Sequence, residues 1–240
     1  MHLAQSGHNV VINGSSNRDA CDAVANEARS AGAQALVVMA DIGKRSEAEA
    51  MAAEAIKAFG RVDILINNAG AIPSGSIYAV SEKAWREGWE LKVFGYIEMT
   101  RAYYTIFRDR GYGVILNDIG NSGENPDFDY VAGSTGNSAL MTFTKAIGGT
   151  SLNYGVRVLA VNPGPVDTGR MEKMLKQRAG VIFKDEGRWE ELLERFPGGR
   201  ASTPEEIANA ITFLCSPVAS YINGCVLTID GGISARGSVV

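Results

Sequence analysis

An α/β fold with one doubly wound, mostly parallel sheet is predicted by three features of this 240-residue sequence. Short β-branched runs alternate with longer stretches of helical period, the pattern of βαβ units whose strands are covered on both faces. No repeat, low-complexity tract or linker marks a boundary, so residues 1–240 are expected to form one domain. Hydrophobic residues make up 45% and charged residues 21%, which suits a single large core.

The elements follow in order. Residues 9–13 (NVVIN) and 35–40 (ALVVMA) are β-branched and read as strands, separated by a helical segment at 18–31. An Ala-rich helix at 44–59 leads to the strand ILIN at 64–67, and a long helix at 82–110 leads to VILN at 114–117. A helix at 131–154, a strand at 157–162, a helix at 204–215 and a strand at 226–229 complete the alternation. The helix at 204 opens with Ser202-Thr203-Pro204-Glu205-Glu206: a capping hydroxyl, proline in the first turn and acids beside the positive helix end. Residues 169–199 stand outside the alternation, rich in charge and Met, and read as an excursion over the C-terminal edge of the sheet, where such folds bind ligands.

Composition narrows the partners. A net charge of -4 supplies no excess of Lys and Arg for a phosphate backbone, so nucleic acid is not expected. No run approaches the roughly 18 apolar residues of a membrane span, and the N-terminus has no signal-peptide layout. Cys21, Cys215 and Cys225 are odd in number and lack metal spacing, which reads as reduced thiols in a cytoplasmic protein without a metal.

Four motifs in sequence order carry a resemblance: DILINNAG (63–70), VNPGPVDT (161–168), GRASTPEEIANAITFLCS (199–216) and INGCVLTIDGG (222–232). The chain resembles a short-chain dehydrogenase/reductase over nearly its whole length. The resemblance implies a Rossmann-like sheet and an NADP or NAD cofactor. Asn68, Ala69 and Gly70 would lie beside its adenosine part, as would Asp41 and Ile42 after the second strand run. Pro163, Gly164, Val166 and Thr168 would hold the nicotinamide carboxamide. Read from the residues alone, the glycines suit close backbone approach to a ligand, while an Asp after a strand is equally a turn former. The strand ending at Asn13 lacks the carboxylate that binds the ribose of NAD; Ser15 and Arg18 nearby lean towards the 2′-phosphate of NADP. A homodimer or homotetramer and a small-molecule substrate are further implications of the resemblance.

Two departures from the family pattern stand out. MHLAQSGHNVVING resembles the end of the family's first helix and its second strand, so the first strand and its glycine-rich phosphate loop have no counterpart. Its absence would leave two inner sheet edges unpaired, a defect too large to absorb without rearrangement, so either the sequence starts at an internal methionine of a longer protein or the fold is altered. The second departure is catalytic. Of the family's Asn, Ser, Tyr and Lys, only the tyrosine is kept, as Tyr130; Lys92, Gly120 and Ser134 stand at the positions of the asparagine, serine and lysine.

A tyrosine with its ordinary pKa of about 10 needs a neighbouring cation to act as a base near neutrality. Lys92 is expected to replace the missing lysine from the other helix, with Ser134 leaving room, and Asn121 or Ser122 is expected to offer the substrate-oxygen donor. The plainer alternative makes Lys92 a solvent-facing residue and Asn121 and Ser122 turn caps. In the excursion, Arg170, Lys173, Lys176, Arg178 and Lys184 alternate with acids, which suits a solvated amphipathic helix or, alternatively, an anion-binding lid, and Met171, Met174, Leu175, Ile182 and Phe183 are expected to line the substrate side. Two functions follow: an NAD(P)-dependent oxidoreductase acting on a carbonyl or secondary alcohol, or a non-catalytic relative serving as ligand sensor or partner subunit.

Overall fold

The computed structural model describes residues 1–70 and 72–236. A short helix α1 (His2–Gln5) precedes β1 (Val10–Gly14), α2 (Arg18–Ser30), β2 (Ala35–Met39), α3 (Arg45–Phe59) and β3 (Ile64–Asn67). Then come α4 (Glu82–Trp89), α5 (Gly95–Arg110), β4 (Gly113–Asp118), α6 (Val131–Ser151), β5 (Val156–Pro163), α7 (Gly169–Ile182), α8 (Pro204–Cys215) and β6 (Val226–Ile229). All six expected strands form, each within a residue of its expected bounds. The long helix expected at 82–110 is not uniform: Glu90–Phe94 is a π-helical stretch between α4 and α5, with Lys92 at its centre. Such wide turns shift the side-chain direction within a helix and recur at functional sites.

Every strand pair is parallel. In one sheet β3, β4, β5 and β6 are neighbours in that order, with Leu65 opposite Ile115 and Leu116 opposite Leu159. The other sheet holds only β1 and β2. Among the described residues no strand joins the two, so the expected gap is present. A slot of about 610 Å³ lies between β1 and β3, reached by Val11, Asn13, Leu65, Asn67, Met99 and Tyr103. Helices hold the halves together: one core cluster runs from Val38, Ala40 and Ala48 through Met99, Tyr103 and Phe107 to Leu65 and Ile115. Strand β5 is buried along its whole length, as its near-continuous apolar run requires.

The start of α8 forms as its sequence dictates. Thr203 accepts from the Glu206 amide, Glu206 returns a bond to the Thr203 amide, and Pro204 sits in the first turn. The excursion folds differently from expectation. A 3-10 stretch, Glu186–Arg195, doubles back on α7, so Met171 and Leu175 are buried with Ala179 and Leu192, and Phe183 packs against them. These residues form the excursion's own small core and do not line a substrate surface; Met174 and Ile182 are left exposed. The physical reason is the helical period of α7, whose apolar stripe the returning segment covers.

Candidate active site

Because the strands are parallel, the loops after β3, β4 and β5 emerge at one edge of the sheet. Beneath that edge lies a fully buried polar chain. Asn67 donates to Asn117 at 2.8 Å, Asn117 to the Thr144 hydroxyl at 2.9 Å, and Thr144 to the Leu140 carbonyl. It ties β3, β4 and α6 into one rigid platform, since a buried amide left unpaired is costly.

Tyr130 stands at the N-terminal end of α6. Its ring folds back over Gly133, where any side chain would collide with it. The segment before it is fixed by the Gly75 amide donating to the Asp129 carbonyl at 2.6 Å. Trp89 anchors the same turn by donating from its indole to the Ala132 carbonyl at 3.0 Å. Burial pushes the Tyr130 phenol above its ordinary value, opposed by the guanidinium of Arg170 beside it.

Lys92 takes another course. Its stem lies across Gly70, whose missing side chain makes the passage possible, and its ammonium donates to the Ile119 carbonyl. The charged group that bears on Tyr130 is Arg170, from the first turn of α7. Burial draws the Lys92 ammonium down to about 8, with Asp118 opposing and Arg170 adding to the fall. Burial likewise raises the Asp118 carboxyl to about 6, against the pull of Lys92.

These shifts set a pH profile for stability. A raised carboxyl is stabilising when protonated, so the Asp118 contribution falls away as pH rises from about 4 through 6. A lowered ammonium makes the fold gain stability as pH rises from about 8 towards 10.5. Lys92→Met is expected to abolish the alkaline gain and to move the Asp118 step upward, because its opposing cation is gone. Thermal midpoints of both proteins across pH 4–10.5 measure this; an unchanged alkaline limb would refute it.

The other expected site residues serve the loops. Ser134 is buried and its hydroxyl accepts from the Asp127 amide at 3.1 Å, so it does not act as an empty space for Lys92. Asn121 donates towards Asp230 at 3.3 Å, and Ser122 accepts from Asn137 at 2.8 Å. Asn137, missed in the sequence, holds the Ser122 hydroxyl and the Gly120 carbonyl, so it shapes the loop after β4. Asp118 was also missed, and Arg170 was foreseen only as one of several basic residues of a solvated helix or anion-binding lid, not as the neighbour of Tyr130.

On the adenosine side, Asp41 accepts from the Gly43 amide and makes a turn, and Ile42 is buried against Gly95. Arg18 pairs with Asp22 one turn along α2 at 3.4 Å, and Ser15 is exposed at the end of β1. Asn68 is exposed, Ala69 packs on the core, and Gly70 receives the Lys92 stem. On the other side Gly164 passes so close to Asp230 that a Cβ would lie 2.7 Å from it, and its amide donates to Ile229. This pins Pro163 and Gly164 at the end of β5. Val166 bridges to Ser202, and Thr168 caps α7 by accepting from Met171. The loops therefore suit the two ends of a dinucleotide. Its middle finds no counterpart: among the described residues no glycine-rich turn lies between β1 and β3, where the slot opens.

Comparison with known proteins gives this arrangement a family. The family model described as enoyl-(acyl carrier protein) reductase matches residues 1–234. The chain is 32% identical over 236 residues to a probable 2,4-dienoyl-CoA reductase of Bacillus subtilis, covering 95% of this chain and 88% of that protein. The chain belongs to the short-chain dehydrogenase/reductase family. It is also 29% identical over 230 residues to the 7alpha-hydroxysteroid dehydrogenase of Escherichia coli, covering 96% of this chain and 86% of that protein. A solved actinorhodin polyketide ketoreductase with NADPH superposes with a TM-score of 0.91 at 26% identity, covering 98% of this chain and 90% of that one. Membership makes the chain an oxidoreductase by descent, and the Rossmann-like sheet of the short-chain dehydrogenase/reductases is its fold. No described helix is long and apolar enough to cross a membrane.

Proposed function

We propose that this chain is an NAD(P)-dependent oxidoreductase interconverting a carbonyl and a secondary alcohol, with Tyr130 exchanging the proton. The observation that carries this is Tyr130 at the start of α6, tied to the loop after β3 by the Gly75–Asp129 bond, with the Arg170 guanidinium, which follows PGPVDT in the chain, reaching the Gly70 carbonyl of NNAG. A nicotinamide, when bound, would supply hydride to the carbonyl carbon, and the role of Tyr130 is to give its phenolic proton to the carbonyl oxygen. Burial keeps Tyr130 protonated near neutrality, which favours donation and hence reduction. Arg170 stabilises the phenolate left behind, the part first expected of Lys92. Lys92 instead holds the Ile119 carbonyl and so sets the loop carrying Asn121 and Ser122.

At the adenosine end we favour NADP over NAD, because no carboxylate ends β1 and Ser15 and Arg18 are exposed there. A 2′-phosphate would compete with Asp22 for Arg18. The relatives support either nucleotide: the ketoreductase structure holds NADPH, and a 7α-hydroxysteroid dehydrogenase structure of TM-score 0.83, 28% identical and covering 95% of this chain, holds NADH. Titration by fluorescence is expected to show NADPH binding about tenfold more tightly than NADH, a difference lost in Arg18→Ala. Failure of both to bind at millimolar concentration would end the dehydrogenase assignment.

A non-catalytic sensor or partner subunit is favoured by one observation: Lys92, Gly120 and Ser134 stand where the family has its asparagine, serine and lysine. Binding without turnover of any carbonyl would support it. A cytoplasmic location fits the three free thiols, of which Cys215 is pushed up to about 12 by burial and is unreactive. A small-molecule substrate and a homodimer or homotetramer through α5 and α6 complete the proposal, with Phe94, Leu152 and Tyr154 exposed at the ends of those helices.

A further inference from the structure

We propose that the substrate carries a carboxylate beside its reacting carbonyl, as in a 2-oxo or 3-oxo acid, and that Arg170 reads it. The proposal rests on the oxidoreductase function above and names its substrate class. Its basis is an Arg170 guanidinium lying over the sheet edge without an acid partner. Lys92 lies with its stem against Gly70, and Arg170 reaches the carbonyl of the same Gly70 and that of Ile72, both at 3.5 Å. Those two bonds are at the outer limit of hydrogen bonding, so they orient the guanidinium without satisfying its five donors.

Among the described residues neither cation has a carboxylate within 4.0 Å. The contrast within the excursion is instructive: Lys176 ends on Glu172 at 2.6 Å and Arg188 on Glu191 at 2.6 Å. Arg170 has no acid one turn ahead, where Lys173 and Met174 stand, and it turns back over the sheet edge. Asp118 lies on the Lys92 side. Arg170 is therefore left as an unpaired positive charge over the sheet edge.

A planar guanidinium with free donors matches a carboxylate in shape as well as charge. Its position limits where that carboxylate can be. The Tyr130 hydroxyl has to come within about 3 Å of the carbonyl oxygen to pass its proton, and Arg170 sits beside that hydroxyl. A carboxylate close to the reacting carbonyl therefore meets the guanidinium. Turnover itself is the reduction described above: hydride adds to the carbonyl carbon, the Tyr130 proton goes to oxygen, the carboxylate is unchanged, and water reprotonates the phenolate.

The full chain is assayed with NADPH on matched pairs, acetoacetate with methyl acetoacetate and pyruvate with methyl pyruvate. For at least one pair, kcat/KM for the acid is expected to exceed that for the ester by about 100-fold, which corresponds to one charge-assisted bidentate contact. Arg170→Gln is expected to bring the ratio to within about threefold, whatever its effect on the absolute rate, and Arg170→Lys to leave an intermediate ratio. A wild-type ratio near one for both pairs, or a ratio unchanged in Arg170→Gln, overturns the carboxylate site and leaves the oxidoreductase standing. If no carbonyl is reduced, oxamate separates the two ideas by thermal shift of the NADPH-loaded protein. A shift lost in Arg170→Gln keeps the carboxylate site while the oxidoreductase falls; no shift in the wild type removes both.

Discussion

Replacing Tyr130 with Phe is expected to lower kcat for carbonyl reduction by about 10²–10⁴-fold, the usual contribution of a positioned acid or base. Dinucleotide affinity is expected to stay within about threefold, since only the hydroxyl is removed. The substitution is conservative for the fold because the ring's packing over Gly133 does not involve the oxygen. The size of the loss follows from what else could protonate the substrate. Ser122 and Ser134 accept from Asn137 and the Asp127 amide, and Asn121 is turned towards Asp230. Alcohols and amides are far weaker acids than a phenol, and Lys92 points its ammonium at the Ile119 carbonyl. Steady-state kinetics at saturating cofactor measure the loss; a variant keeping more than about a tenth of wild-type kcat would take the proton-transfer role away from Tyr130.

The second large effect concerns the slot. Amides of β1 and β2 are expected to exchange with solvent deuterium at least about 10³-fold faster than those of β4 and β5, a difference of about 4 kcal/mol in local opening. Strand β1 is paired on one side only, with β2, and all five of its residues are only partly buried. Strands β4 and β5 each have partners on both sides and lie almost wholly inside. An unpaired inner edge gives water access to one row of backbone groups, and the pair β1–β2 is below the size at which a sheet is stable alone. What restrains it is the shared core beneath, where Val38 and Ala40 meet Met99 and Tyr103. Equal protection across all six strands, measured by exchange and mass spectrometry, would show instead that the helices alone make the two sheets one cooperative unit. The slot also explains why the middle of a dinucleotide is the least furnished part of its site.

Much of this was legible in the chain. The β-branched runs located all six strands because burial on both faces requires continuous apolar sequence, and β5 shows the full burial its run implies. Ser202 to Glu206 specified the start of α8 because a capping box is made by neighbours in sequence. The gap between β1 and β3 could be foreseen for a different reason, since strand order is set by topology and a missing unit leaves its place open. Gly70 and Gly164 were recognisable as points of close approach, although what approaches them, the Lys92 stem and Asp230, was not.

The charges of the site were not legible, and the reasons are geometric. Lys92 looked able to reach Tyr130 on a regular helix, but the π-helical stretch at Glu90–Phe94 delivers its ammonium to Ile119. Ser134 looked like a vacated position, and the turn before Tyr130 uses its hydroxyl. Arg170 stands 100 residues from Gly70 in sequence, among alternating charges that suit a solvated face or an anion-binding lid, and only the course of the loop from β5 into α7 brings it over the sheet edge. The sequence by itself therefore determined the elements, their caps, the family and the vacant strand position, because these depend on local pattern and on chain order. The tertiary structure decided which cation faces Tyr130, because that depends on a wide helical turn and on the path of a loop, where a displacement of a few ångströms exchanges one partner for another.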